Sequence, residues 1–156
     1  MAEPENDSPG VIAIPPLIFG AFLAAGLVLE YLFPWPMLAQ IVQYSAGGVV
    51  ILGSFVLMPG TLMRFRRAGT HLDVRKPTNA IITGGPYRVS RNPIYLSMML
   101  LYLGIGLMVD GLWVILLAVP LAVVIHHGVI LREERYLEQK FGAEYLAYRG
   151  SVRRWI

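Results

Sequence analysis

Residues 84–97 read GGPYRVSRNPIYLS and hold two arginines, two tyrosines and two prolines. Pro93 suits the first turn of a helix, where a missing N–H costs nothing, and Asn92 before it is expected to act as its N-cap. A helix that begins there presents unpaired N–H groups and the positive end of its dipole. Arg88 and Arg91 add charge, so a carboxylate or phosphate is attracted; the same arginines also read as anchors at a membrane lip. Further along, VIHHGVILREERYLEQKF carries His126, His127, Glu133 and Glu134. Carboxylates at the edge of an apolar run are costly unless solvated, paired or used. Two histidines with no further ligand in spacing do not make a metal site, and no metal is expected. The chain has no cysteine, which removes disulfides, thiolate nucleophiles and cysteine metal sites. A cationic loop and a carboxylate-tipped helix end, meeting at one surface, make a pocket with both signs of charge. Such a pocket suits a zwitterionic or cationic ligand and, beside lipid, a second ligand that is greasy.

The elements that position these residues are written in the hydropathy. The 156 residues are 56% hydrophobic and 15% charged, against about a quarter charged in soluble domains. Val11–Phe33 contains one charge, Glu30, and Met37–Met63, Ile94–Val109 and Leu112–Leu131 contain none. A helix needs roughly 20 apolar residues to cross a hydrocarbon core. The third run is short, and Gly111 after Asp110 is a turn signal, so the third and fourth runs are expected to form a tight helical hairpin. The leader MAEPENDSPG has no basic residue, unlike a signal peptide. The first run is therefore expected to be a retained membrane helix, with residues 1–10 a disordered tail, 11–63 a two-helix hairpin and 64–156 the working core.

All 13 Lys and Arg residues fall in two blocks, between the second and third runs and after the fourth. The positive-inside rule puts both blocks in the cytoplasm, and an even number of crossings puts the N-terminus there too. The net charge of +3 then points to anionic lipid headgroups and not to nucleic acid. Small residues four apart, Gly20/Ala24 and Ala21/Ala25, together with Gly47, Gly48 and Gly53, predict close helix contacts. Pro120 predicts a kink. The connection over 64–93 is broken by Gly and Pro, and its apolar NAIIT segment is expected to pack on helix ends or on a ligand. Leu137, Phe141, Tyr145 and Tyr148 recur at helical spacing, which predicts an amphipathic helix in the tail. The expected fold is all-α and integral to the membrane: four transmembrane helices, a cytoplasmic connecting loop and a C-terminal amphipathic helix.

The combination G-P-Y-x-x-x-R-[NH]-P-x-Y at 85–95, then a helical hairpin, then E-E and F-G-x-x-Y at 141–145, closely resembles the isoprenylcysteine carboxyl methyltransferase and phospholipid methyltransferase superfamily. The resemblance covers residues 69–156. It implies methyl transfer from S-adenosylmethionine to a lipophilic acceptor, either an isoprenylcysteine-type carboxylate or a lipid amine or hydroxyl. It carries cofactor contacts to Asn79, Ala80, Ile81, Ile82 and Tyr87, to Asn92, Pro93, Ile94 and Tyr95, and to Glu133. Arg91 and Glu134 are the catalytic candidates, Glu134 or a histidine taking the proton of an amine acceptor. The prenylcysteine enzymes have histidine where Asn79 and Asn92 stand, and a substrate-binding arginine without a match at Val129. The implied partners are a small lipophilic or prenylated substrate and the bilayer, in a prokaryotic plasma membrane with both termini cytoplasmic; the oligomeric state stays open. Two other readings are a non-catalytic membrane scaffold that docks a cytoplasmic partner, and a membrane reductase of sterol type, for whose extra helices the chain is short.

Overall fold

A computed structural model describes residues 8–67, 69 and 78–156. Every regular element among them is helical: α1 Pro15–Leu32, α2 Gln40–Arg67, α3 Pro93–Met108, α4 Leu112–Ile125, α5 Leu131–Phe141 and α6 Ala143–Ser151. One π-helical turn, His126–Ile130, joins α4 to α5, and a short 3₁₀ turn covers Gly85–Arg88. Three helices are long and apolar enough to cross a membrane by length and composition: Pro15–Leu32, Gln40–Arg67 and the continuous Leu112–Phe141. At 16 residues α3 is shorter, about 24 Å at 1.5 Å per residue. Large apolar side chains such as Ile41, Val49 and Val56 point outward, more than 70% of each or close to it exposed, as lipid-facing residues do. The chain is an integral-membrane protein by this build.

Helix α1 starts later than its apolar run because Pro15 and Pro16 lack N–H groups and fit only the first turn. Val11 to Ile14 instead runs along α5's approach, where Ile12 N–H donates to Gly128 O at 3.2 Å and Arg132 Nη1 donates to Gly10 O at 2.7 Å. Residues 8–10 of the expected tail therefore lie against the bundle, and residues 1–7 lie outside the described residues. The turn between α3 and α4 is as tight as expected, but its left-handed residue is Asp110 (φ 52°), not Gly111. Aspartate tolerates that conformation, and here its carboxylate also accepts the Met37 and Leu38 N–H groups at 3.0 and 3.1 Å. Glu30 does the same on its side, accepting from Trp35 N at 3.1 Å.

Helix α2 packs along α3, α1 along α4, and α3 against α4. Small buried residues recur seven apart on α2, Gly47, Ser54 and Thr61, and on the α2–α3 seam Gly47 meets Gly104 and Ser54 meets Ser97. Ser54 Oγ donates to Ser97 O at 2.8 Å. A Cβ on Gly47 would lie 2.8 Å from Met108 N and 3.0 Å from Gly104 O. Of the glycines expected to thin α2, Gly48 and Gly53 meet nothing within 4 Å. On α1 the close approach falls at Gly26, whose Cβ would lie 2.9 Å from Val114 Cα, while Gly20, Ala21, Ala24 and Ala25 are exposed. Gly47→Leu is accordingly expected to destabilise the protein by about 1–3 kcal/mol or more, because backbone and not a flexible side chain must move. Gly48→Leu, one position along, is expected to stay within about 0.5 kcal/mol. Apparent melting temperatures in detergent separate the two.

Pro120 sits inside α4, and a π turn, His126–Ile130, follows the helix. A π turn adds one residue to the helix, which rotates everything after it by about 100° relative to an unbroken helix. The tail is also interrupted: Gly142, at φ 53° and ψ −122°, separates α5 from α6. That conformation belongs to glycine, so the expected single amphipathic helix is two, with Tyr145 of α6 turned inward and 2% exposed.

Candidate active site

The N-terminus of α3 and the start of α5 lie at the same end of the bundle, because α3 and α4 are joined by a tight turn. Tyr95 Oη donates to Glu133 Oε1 at 2.6 Å. Around this pair lies a cavity of about 620 Å³, within the usual range for small-molecule sites. Of the residues expected to bind or react, Ala80, Ile81, Ile82, Tyr87, Arg91, Asn92, Ile94, Tyr95, Glu133 and Glu134 all line it. Asn79 is exposed and gives its side-chain N–H to Gly69 O, and Pro93 is fully buried behind the wall. Arg88 is exposed. His126 and His127 stack edge to face at 4.9 Å and do not reach the cavity. No group of three metal-ligating side chains occurs among the described residues.

The cavity lining is of two chemistries. One is aromatic and charged: Tyr87, Tyr95, Tyr136, Tyr145 and Tyr148 with Arg91, Glu133 and Glu134. The other is apolar, built by Met58 and Leu62 of α2, Met98 and Leu101 of α3, and Pro15 and Pro16 at the start of α1. Tyr148 Oη donates to Tyr87 O at 2.8 Å, and Phe65 leans on the Tyr87 ring at 6.1 Å between centroids. Burial, then the nearby Glu133 charge, holds the Tyr87 phenol far above its usual range. Burial likewise lifts Tyr148, and pushes Tyr145 up to about 12. These tyrosines are therefore neutral donors with intact π faces, not phenolates.

Asn92 stands at the N-cap position of α3 but makes no side-chain cap. Its amide instead donates to Arg154 O at 3.0 Å, while its own N–H donates to Ser90 Oγ at 3.1 Å. The backbone beyond α6 returns to this loop, and Arg91 N–H donates to Arg153 O at 3.0 Å. Glu134 is 6% exposed and is held by two arginines. Arg154 Nε and Nη2 donate to its two oxygens at 2.9 and 2.8 Å, and Arg91 Nη2 lies 3.3 Å from Oε1. The Glu134 hydrogen bonds raise the Arg154 pKa further. Two donors of Arg91, Nε and Nη1, are buried with no hydrogen-bond partner among the described residues. Buried donors are nearly always satisfied, and these two, like Arg132 Nε, are exceptions among the described residues. Sequence reasoning missed Arg154, Tyr148 and the proline wall of α1, which no local spacing ties to the motif; Tyr145 stood in the F-G-x-x-Y pattern without a role.

An uncharacterised protein from Haemophilus influenzae is 41% identical over 63 residues, which cover 40% of this chain and all of that relative. No solved structure matches the chain. A family model described as phospholipid methyltransferase matches residues 42–144, from α2 through both glutamates to the first residues of α6, well over half of the chain. With that span and the apolar helices in agreement, the chain belongs to the phospholipid methyltransferase family of membrane enzymes that transfer a methyl group.

Proposed function

We propose that this protein transfers the methyl group of S-adenosylmethionine to a lipophilic acceptor, in a prokaryotic plasma membrane crossed four times, with both termini and the cavity's charged residues at the cytoplasmic face. The observation that carries the reading is the cavity itself, whose lining combines an aromatic and charged set of side chains with an apolar set drawn from α1, α2 and α3. The residues fit the cofactor. It has an anionic carboxylate, for which the two unpaired Arg91 donors and the α3 N-terminus are available. It has amino and ribose groups, for which Glu133 is an acceptor, and a sulfonium, which the faces of Tyr87, Tyr95 and Tyr148 attract. When bound, it supplies a methyl group already activated for displacement by its positive sulfur.

The chain's own work is then orientation and exclusion of water. Met58, Leu62, Met98 and Leu101, all in the cavity lining, hold an acceptor's hydrocarbon chain. Glu134 has both oxygens engaged by arginine, which makes it a positioning group in this reading and not a proton acceptor. Arg91 likewise acts on the cofactor's anionic end. An acceptor that is already an anion needs no base, and the acceptor is either an isoprenylcysteine-type carboxylate or a lipid amine or hydroxyl.

Calorimetric titration of the detergent-purified protein with S-adenosylhomocysteine, the demethylated product, tests this directly. Binding with a dissociation constant on the order of micromolar is expected, about −8 kcal/mol. A folded sample that takes up none of it in several detergents and lipids sinks the proposal. Labelled methyl transfer into a total lipid extract, with the product identified by mass, then names the acceptor.

A further inference from the structure

We propose that Arg154 is a positioning residue of this site: by holding both oxygens of Glu134 it leaves two N–H groups of Arg91, a residue of the cavity lining, without a protein partner among the described residues and so available to a carboxylate-bearing ligand. The proposal rests on the cofactor reading above and goes beyond it, because Arg154 lies outside the matched residues 42–144 and is not among the residues that line the cavity.

The argument begins with a competition. Glu134 offers two oxygens, and two guanidinium groups approach it. A planar guanidinium and a carboxylate pair best edge to edge, through two parallel hydrogen bonds. Arg154 has that arrangement, Nε to Oε1 at 2.9 Å and Nη2 to Oε2 at 2.8 Å. Arg91 has only a sideways approach, Nη2 to Oε1 at 3.3 Å. Its Nε and Nη1 are consequently left over, buried beside the cavity with no partner among the described residues. Take the Arg154 guanidinium away and the carboxylate is free to turn and pair edge to edge with Arg91. The open donors are then consumed inside the protein.

Arg154 holds its post because its backbone is fixed independently of its side chain. Ser90 Oγ and Asn92 Nδ2 donate to Arg154 O at 3.2 and 3.0 Å, and Arg91 N–H donates to Arg153 O at 3.0 Å. Trp155 packs against the hydrophobic core. The segment after α6 therefore acts on ligand recognition through Glu134, without touching the ligand.

The test compares two probes on full-length wild type, Arg154→Gln and Arg154→Lys by calorimetric titration. S-adenosylhomocysteine carries the amino-carboxylate tail; 5′-methylthioadenosine has the same nucleoside and a thioether but no tail. In Arg154→Gln the affinity for S-adenosylhomocysteine is expected to fall by about tenfold or more, the size of one to two charge-assisted hydrogen bonds. The affinity for 5′-methylthioadenosine is expected to change by less than about twofold on the same scale. Arg154→Lys, which keeps a charge but loses the planar fork, is expected to fall between, and serves alone if the glutamine variant does not fold. The ratio of the two dissociation constants within one preparation is insensitive to the fraction folded. Equal losses for both probes, or no change in either variant, overturn the positioning role. If wild type binds neither probe, the cofactor reading falls, and this inference with it.

Discussion

Glu134→Ala is expected to cost the fold about 3–5 kcal/mol, the usual penalty when one partner of a buried ionic group is removed and the other is left without compensation. The reason is the arithmetic of charge around it. Glu134 is 6% exposed and neutralises Arg91 and Arg154 together. Alanine leaves the Arg91 guanidinium, 9% exposed, without its carboxylate partner among the described residues. At roughly 2–4 °C per kcal/mol for a chain of this size, the apparent melting temperature in detergent should drop by about 10 °C. Glu134→Gln keeps the shape and one acceptor oxygen, so its loss is expected to be smaller. A melting temperature unchanged in both variants would show that the arginines find other partners, and would remove Glu134 as the keystone of this end of the bundle.

The neighbouring glutamate is expected to behave in the opposite way. Glu133 lines the cavity and accepts a hydrogen bond from the Tyr95 hydroxyl at 2.6 Å. Glu133→Ala should leave melting nearly unchanged but weaken S-adenosylhomocysteine binding by roughly 100-fold, which corresponds to the upper range for a hydrogen bond to a charged group. Tyr95→Phe removes only the donor that orients the carboxylate, and a loss of about tenfold is expected, the lower range for one hydrogen bond to a charged group. Titration calorimetry on the two variants checks both numbers. Should Glu133→Ala bind the ligand as wild type does, Glu133 is not a cofactor contact. The contrast between two adjacent carboxylates has one structural cause. Successive residues on a helix point about 100° apart, and the π turn at His126–Ile130 sets where that pair of directions falls.

Much of the site was legible because its residues are close in sequence. Tyr87, Arg91, Asn92, Ile94 and Tyr95 sit on one turn and one helix start, and Pro86 and Pro93 announce both. Their arrival on one cavity wall needed no long-range information. Glu133 and Glu134 followed from the tight turn at Asp110, which sends α4 back beside α3. The membrane class followed from composition alone. Asn92 was misjudged as a cap because a local rule was applied to a side chain that a distant segment claims, the Arg154 carbonyl. The tail's periodicity carries across Gly142 and predicts one helix, while the backbone angle there ends α5.

What the sequence by itself determined was the kind of protein: apolar helices, their order, the prolines and turns that end them, and a charged motif at one end. What only the tertiary structure decided was direction: that Gly47 and not Gly48 meets α3, that Gly26 and not Gly20 meets α4, and that Arg154 returns to Glu134. The physical reason is the solvent. In water a helix shows its inner face by being apolar there and polar elsewhere. In lipid both faces are apolar, and contact is chosen by close packing and a few hydrogen bonds, which exist only once the partner helix is in place.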